Sequence, residues 1–363
     1  MNKIRLLISC FVLSYVLLIS TASEAVQYNI RIINAPEGHN YSGASGINDF
    51  GKIAGYSAPN INYNNFPFAC VWDNSGAYNI GFTLNSSRAA EINNRGEVVG
   101  KNILYKNGEM STLPTLSTSS YMWNSFTDIN NQGCIIGQSG TGIANGANAC
   151  YWDSTGIHDL GVLSGDNSSI ANGVNEQGQI VGTSQRDAFP SSLAKAFIWN
   201  NNKMTELGML SGYNQSQAFD INNSKQVVGS SLNEEYRYSG IYERAFIWQN
   251  DVMTDLLGLN NVSSRALKIT DSGFVLGYAY SNSGFYSPFV WKSGTVTWLQ
   301  GFGRINYYAC DINESGWIVG QADATDNTYH AVVWEPVPEP SSLIALFSGI
   351  VTLGCVRMRR RGN

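Results

Sequence analysis

Apolar and polar residues alternate in short runs along this chain, and one nine-residue version of that alternation returns seven times. It reads INDFGKIAG at 47–55, INNRGEVVG at 92–100, INNQGCIIG at 129–137, VNEQGQIVG at 174–182, INNSKQVVG at 221–229, ITDSGFVLG at 269–277 and INESGWIVG at 312–320. The second residues, from 48 to 313, are separated by steps of 45, 37, 45, 47, 48 and 43. A period in the forties marks a repeat architecture, whose units bury apolar surface only against their neighbours. Within each copy the Asn side chain can bond the backbone two residues on, and Gly three residues later supplies a positive φ. Copy five has Lys225 in place of that Gly and copy six has Thr270 in place of that Asn, so both turns are expected to be distorted.

Around each core the pattern resolves into four short strands. The first ends at the Ile-Asn pair, with Ala three residues before the Ile in six copies and Phe126 in the other. The second is the apolar run that ends in Gly. The third ends on an aromatic residue, as in PFACVW at 67–72, KAFIW at 195–199 and RAFIW at 244–248, and the fourth is an amphipathic run such as IHDLGVL at 157–163. Short runs of β-branched and aromatic residues between Asn, Asp and Gly clusters are hairpin signals, and no helical period is sustained between the two ends of the chain. Four strands per repeat of this length make the blade of a β-propeller. The pattern therefore predicts an all-β, seven-bladed β-propeller over 26–336. The seventh repeat stops after its third strand at Trp334, while an unassigned strand, YNIRII, stands at 28–33. Residues 27–34 are expected to complete the seventh blade and close the ring, which removes long exposed edges. The small Ala suits an innermost strand near the axis, and the Trp supplies apolar area between blades.

Composition suits an extracellular β-rich protein better than a cytosolic enzyme. Charged residues make up 13% of the 363, about half the usual share, and Gly is plentiful at 37. Lys3 and Arg5 precede an apolar run from Ile4 to Ile19, and Ser23 and Ala25 stand at the −3 and −1 positions of a cut before Val26. That is the order of a secretory signal peptide over 1–25, with an uncleaved anchor as the alternative. At the other end Val337-Pro338-Glu339-Pro340 precedes a largely apolar stretch at 343–356 and the basic cluster that includes Arg359, Arg360 and Arg361. This arrangement over 337–363 resembles the PEP-CTERM sorting signal of exopolysaccharide-producing Gram-negative bacteria. The resemblance implies export to the surface or medium, transient inner-membrane anchoring by the C-terminal segment, an exosortase as partner, and release of the tail. A plain tail anchor with arginines on the cytoplasmic side is the other reading. Without both ends, Lys and Arg fall from 22 to 16 and Asp and Glu from 27 to 25, a net charge of −9. That balance disfavours nucleic acid and anionic lipid as partners.

The repeated IN-x-x-G core followed by (H/K/R)-A-F-x-W resembles the extracellular HAF-repeat proteins, across residues 44–334. HAVVW at 330–334 comes nearest the name-giving tripeptide, with Val for Phe, and Lys195 and Arg244 stand in the His position elsewhere. The resemblance implies a secreted surface protein and carries no catalytic residues to transfer.

Candidate chemistry is sparse. Cys70, Cys134, Cys150 and Cys310 lack CxxC spacing and have few histidines to join them, which argues against zinc. Cys134 and Cys150 fall on neighbouring strands, so a disulfide is conceivable in an oxidising compartment. The Asn/Asp turns lack the alternating acidic spacing of a calcium loop. No cofactor is implied. Of His39, His158 and His330, the last two lie in strand patterns, and no nucleophile-elbow, zinc-protease, P-loop or dinucleotide motif appears. Glu234-Glu235 is the only adjacent carboxylate pair in a long loop, and a solvated charge pair explains it better than a glycosidase.

The turns after the first and third strands are short and uniform, whereas the loops on the opposite face vary in length, and function belongs with the variable loops. Those loops and their flanks are rich in Tyr and Asn, a combination suited to sugar stacking and hydroxyl recognition. Tyr56, Tyr63, Trp123, Tyr213, Tyr236, Tyr238, Tyr280 and Tyr308 are the candidate ligand-binding residues, with loop packing or protein contacts as the competing explanation. Two functions compete: a non-catalytic surface or matrix protein that binds polysaccharide or protein, and a propeller hydrolase or lyase acting on polysaccharide. A carboxylate cluster at the axial mouth would favour the enzyme, and exposed tyrosines without one would favour the binder.

Overall fold

The computed structural model describes residues 26–337 apart from 60–66, 82–88, 101–102, 118–123, 142–145, 187–192, 234–241, 259–261, 281–285, 303–306 and 324–327. The signal segment up to Ala25 and the sorting segment from Pro338 onward lie outside the described residues. So do Tyr63, Trp123, Tyr236, Tyr238 and the Glu234-Glu235 pair.

The described residues form β-strands and no helix, and the strands assemble into seven antiparallel sheets of four. The first strand is β1 (Tyr28–Ile32). Blade 1 holds β2 (Tyr41–Ile47), β3 (Ile53–Ala58), β4 (Phe68–Asp73) and β5 (Gly76–Asn79). Blade 2 holds β6 (Ala89–Ile92), β7 (Val98–Gly100), β8 (Ile103–Lys106) and β9 (Glu109–Ser111). Blade 3 holds β10 (Asn124–Ile129), β11 (Ile135–Gly140), β12 (Ala147–Asp153) and β13 (Gly156–Gly161). Blade 4 holds β14 (Ser168–Val174), β15 (Ile180–Arg186), β16 (Leu193–Asn200) and β17 (Lys203–Glu206). Blade 5 holds β18 (Gln215–Ile221), β19 (Val227–Leu232), β20 (Glu243–Gln249) and β21 (Val252–Asp255). Blade 6 holds β22 (Ser263–Ile269), β23 (Phe274–Tyr280), β24 (Tyr286–Lys292) and β25 (Thr295–Trp298). Blade 7 holds β26 (Tyr307–Ile312), β27 (Ile318–Asp323) and β28 (Tyr329–Pro336), and its fourth strand is β1. The chain is a seven-bladed β-propeller.

Closure follows the expected route. Tyr28 pairs with Pro336 and Ile32 with Val332. The ladder continues past the strand ends, with Ile33 N–H donating to Ala331 O at 2.9 Å and Val337 N–H to Gln27 O at 2.8 Å. An Arg31–Glu335 ion pair lies across the same two strands.

The apolar core is divided into wedges, one between each pair of neighbouring blades. The wedge at the closure joins Ile33, Val319, Ala331 and Val333 of blade 7 to Ala44, Ile47, Ile53, Cys70 and Trp72 of blade 1. Each fully buried branched or aromatic side chain contributes about 1.5–3 kcal/mol of transfer free energy. The terminal Trp of the third strand also bonds the blade before it. The indole N–H of Trp72, Trp152 and Trp334 donates at 2.8 Å to the carbonyls of Asn34, Pro114 and Gln300. The Gly inside the second strand of the blades answers a steric demand, as in blade 4. A Cβ on Gly182 would lie 2.0 Å from Ile170 O and 2.8 Å from the Phe197 ring. In blades 4, 5 and 6 the Phe of the third strand (Phe197, Phe246, Phe289) fills the space that this Gly leaves.

Two turns depart from expectation. Lys225 itself adopts φ 59°. The turn keeps the bonds of its relatives, Lys225 N–H to Asn222 O at 3.0 Å and Asn222 N–H to Gln226 O at 3.1 Å. Lys225 Nζ also sits 5.5 Å from the Trp248 ring centroid, so a cation–π contact accompanies a conformation that costs roughly 1–2 kcal/mol. The Thr270 turn is likewise regular, because Thr270 Oγ1 accepts Phe274 N–H at 3.1 Å, as an Asn oxygen does in the other copies. Neither turn is distorted. Thr270 has a different consequence, at the axis.

All four cysteines in the described residues are free. The register sets Cys150 opposite Gly137, three residues beyond Cys134, so those two thiols are not partnered. Cys70 and Cys150 are fully buried, and burial pushes the Cys70 thiol up to about 12.

Candidate functional site

A β-bulge interrupts every innermost strand between the Ala position and the residue before Ile, as between Ala44 and Gly46 or Ala218 and Asp220. A bulge bends the strand and re-aims the next side chain. Here it brings Glu91, Asp128, Asp220, Lys268 and Asp311 to the wall of an axial cavity of about 180 Å³ at the short-turn face. The two blades without a side chain at this position have no room for one. A Cβ on Gly46 would stand 2.3 Å from Glu91 Oε1, and one on Gly173 would stand 2.8 Å from Asp220 Oδ1.

Most of these carboxylate oxygens already hold part of the frame. Asp128 accepts Ile129 N–H at 2.8 Å and Val174 N–H, in the next blade, at 3.0 Å. Asp220 repeats the pattern with Ile221 and Ile269, both at 2.8 Å, and Asp311 takes Ile47 N–H at 2.8 Å across the closure. Glu91 accepts Ile92 N–H at 3.1 Å and the Lys268 ammonium at 2.8 Å, while Asp311 Oδ1 lies 3.8 Å from the same ammonium. Burial pushes the carboxyls of Glu91 and Asp128 above their ordinary value and that of Asp220 to about 7, with Lys268 opposing. Burial also works against the Lys268 charge, but Glu91, Asp311, Asp128 and Asp220 together push its pKa well above that of an ordinary lysine. One lysine thus faces four buried acids, and burial favours the protonated form of Glu91, Asp128 and Asp220.

Above this layer the repeated Asn residues link blade to blade. The amide N–H of Asn48 donates to Asn93 O, Asn93 to Asn130 O, Asn130 to Asn175 O, Asn175 to Asn222 O, Asn222 to Thr270 O and Asn313 to Asn48 O, all at 3.0–3.2 Å. Thr270 has no amide to donate to Asn313, so the circuit lacks its link between blades 6 and 7. The outermost layer is complete. Each backbone N–H of Asp49, Asn94, Asn131, Glu176, Asn223, Asp271 and Glu314 donates to the side-chain oxygen of the next member, at 2.6–3.0 Å.

The variable-loop face is aromatic. Tyr308, 43% exposed, lies 6.5 Å from Tyr329, which lies 6.2 Å from Tyr41, and Tyr41 lies 6.0 Å from Tyr56. Tyr56 is itself buried, its hydroxyl bonded to Gln321 Oε1 and its ring laid against Gly43, so it buttresses this cluster and offers no open face. A second cluster sets Tyr280 at 5.0 Å from Tyr286, which is 50% exposed and whose hydroxyl meets that of Tyr242 at 3.2 Å. Tyr213 is half-buried in the connection from blade 4 to blade 5, where its N–H donates to Leu210 O at 3.1 Å. The structure thus gathers Tyr56 and Tyr308 into one cluster, puts Tyr280 in another and leaves Tyr213 in neither. The sequence alone does not single out Tyr41, Tyr329 or the axial acids. The acids left a faint signal: the residue before the repeated Ile or Val reads G, E, D, G, D, K, D in strands otherwise poor in charge.

Among the described residues, no group of His, Cys, Asp and Glu has the arrangement of a metal site. His158 stacks on Tyr151 at 4.3 Å and bonds Asp153 at 3.1 Å on the blade surface.

No protein-family model matches the chain, and no curated protein resembles it in sequence. Solved structures resemble it in fold. The β-propeller domain of the Trilobed protease from Pyrococcus furiosus has a TM-score of 0.51 at 11% identity, covering 82% of this chain and 96% of that one. A puromycin hydrolase has a TM-score of 0.55 at 10% identity over 83% of this chain, which spans about half (54%) of the hydrolase. The acylaminoacyl peptidase of Pyrococcus horikoshii has a TM-score of 0.47 at 11% identity, covering 84% of this chain and 53% of that one. At such identities the likeness is one of fold alone.

Proposed function

We propose that this chain is an exported, non-catalytic surface or matrix protein that binds extracellular polysaccharide through its variable-loop face. The observation that carries the reading is the contrast between the two ends of the ring. At the short-turn end the axial acids are bound to backbone N–H groups or to Lys268 and serve to join blades. At the other end Tyr286 and Tyr308 present half-exposed rings. In this reading the 1–25 segment directs export, and the 337–363 segment holds the protein in the inner membrane until an exosortase acts on it. Surface proteins are the other partner class such a face could serve.

A polysaccharide hydrolase or lyase is the competing reading, and the axial acids are what favours it. Asp220, held near 7 by burial, has the protonation behaviour of a general acid. Its two oxygens, however, are both engaged by backbone donors.

The test is a glycan array probed with residues 26–336, the closed ring, including the exopolysaccharide of the producing organism and an assay for chain shortening. Saturable binding without shortening is the expected result. Shortening that is lost in Asp220→Asn would move the enzyme to first place, and no binding to any glycan would remove the polysaccharide.

A further inference from the structure

Among the described residues, the ring-paired tyrosines of the variable-loop face gather on one side of the ring, with Tyr242 of blade 5 at its border and Tyr213 apart from it. Tyr280 and Tyr286 lie in blade 6, Tyr308 and Tyr329 in blade 7, and Tyr41 and Tyr56 in blade 1. Three consecutive blades therefore carry an aromatic arc, with ring spacings of 5.0–6.5 Å inside each cluster. The corresponding strand ends of blade 4 carry Gln185, Arg186 and Leu193 instead.

Charges beside the arc are compensated or anionic. Arg265 is held by Glu243 at 2.6 and 3.2 Å, and Arg244 lies 3.4 Å from Asp255. Burial lowers the pKa of His39, which bonds Ser57 at 2.8 Å and stays neutral near pH 7. Asp323 stands opposite Tyr329 in the ladder. Among the described residues, a polyanion would find no open cation beside the arc.

Resting on the polysaccharide reading, we propose that this arc is an extended site for a neutral, linear glycan, which lies across blades 6, 7 and 1 and contacts several sugars at once. A phenol face carries the negative lobe of its quadrupole, which attracts the polarised C–H groups of a pyranose and needs no ligand charge. Phenol and Gln321 groups at the ring edges supply hydroxyl partners. Tyr56 is already locked against Gly43 and Gln321, so part of the platform is ordered before ligand arrives, which lowers the cost of binding. Contacts joined in one chain act together, so affinity should climb with chain length.

The probes are neutral linear oligosaccharides of α- and β-linked glucose, mannose, galactose and N-acetylglucosamine, from disaccharide to hexasaccharide, titrated calorimetrically against residues 26–336. We expect at least one series to gain about a hundredfold in affinity along its length. Tyr286→Ala and Tyr308→Ala should each weaken the hexasaccharide about tenfold, with unchanged melting temperature, while Tyr213→Ala leaves it alone. Binding that is equal for short and long chains, or that prefers charged chains, overturns the extended neutral site. Glycan binding that survives both substitutions overturns the arc and leaves the polysaccharide reading standing. Absence of binding to every neutral series overturns the arc, and the array with native exopolysaccharide then decides the broader reading separately.

Discussion

Lys268 is the residue on which the axis depends. Truncation to Lys268→Met keeps much of its length but leaves Glu91, Asp128, Asp220 and Asp311 without their cation. Breaking a buried ionic cluster in this way costs about 3–5 kcal/mol, and chemical denaturation at neutral pH should show a loss of that order. The loss should shrink near pH 5, below the folded-state pKa of about 7 at which Asp220 takes up its proton. Asp220 gives the sign of the wider pH dependence. Its folded-state pKa, about 7, lies above its ordinary 3.8, so the folded protein holds a proton that the unfolded chain releases. This contribution is complete below about 3.8 and is lost as pH rises through about 7. Glu91 and Asp128 shift in the same direction. Scanning calorimetry should therefore show a melting temperature that falls between pH 5 and pH 8, with a smaller fall in Asp220→Asn. An equal fall in that variant would mean the slope arises elsewhere. The residue scale was also the least legible. Glu91 or Asp128 read in sequence as an ordinary polar position of a half-buried strand, because nothing local announces a bulge.

The elements, by contrast, were almost fully legible. A nine-residue core with Asn and Gly at fixed places dictates a hairpin, since each residue satisfies a local requirement: the Asn48 oxygen takes the N–H groups of Phe50 and Lys52, and Gly51 supplies φ 77°. The turns at Lys225 and Thr270 escape distortion for a local reason. Lys can enter the left-handed region at modest cost, and a Thr hydroxyl can replace one of the two bonds of an Asn oxygen. What Thr270 cannot replace is the amide hydrogen aimed at the next blade. Thr270→Asn should supply the missing donor toward Asn313 O and stabilise the ring by about 0.5–1.5 kcal/mol, measurable as a higher denaturation midpoint with unchanged slope. Gly182→Ala tests the opposite kind of position. Its Cβ would lie 2.0 Å from Ile170 O, deep inside van der Waals contact, so a loss of several kcal/mol is expected, on the order of a disrupted core.

At the scale of the whole molecule the question is where the ring opens. The closure between blades 7 and 1 has a paired fourth strand, the Asp311–Ile47 bond, the Asn313–Asn48 link and the Trp72–Asn34 bond. Between blades 6 and 7 Lys268 stands where an acid would accept the next Ile N–H, and the Asn link is absent. Glu314, the Trp334 indole bonded to Gln300 O, and the Tyr278 hydroxyl, at 2.6 Å from Ala309 O, carry that seam. Native-state hydrogen exchange should show the facing strands β22 and β26 exchanging through a lower-energy opening than β1 and β28. The reverse order would show that the closure is the weak seam after all.

The amino-acid sequence by itself determined the number of blades, the strands within each, the hairpin at each core and the ring closure by the N-terminal strand. These follow from periodicity and from turn chemistry that acts over a few residues. Only the tertiary structure decided what stands at the axis and which tyrosines share a surface. Glu91 meets Lys268, and Tyr308 joins a cluster with Tyr41, because bulges and blade rotation carry side chains from distant repeats to one place. That convergence is set by the geometry of the closed ring, and no local stretch of residues encodes it.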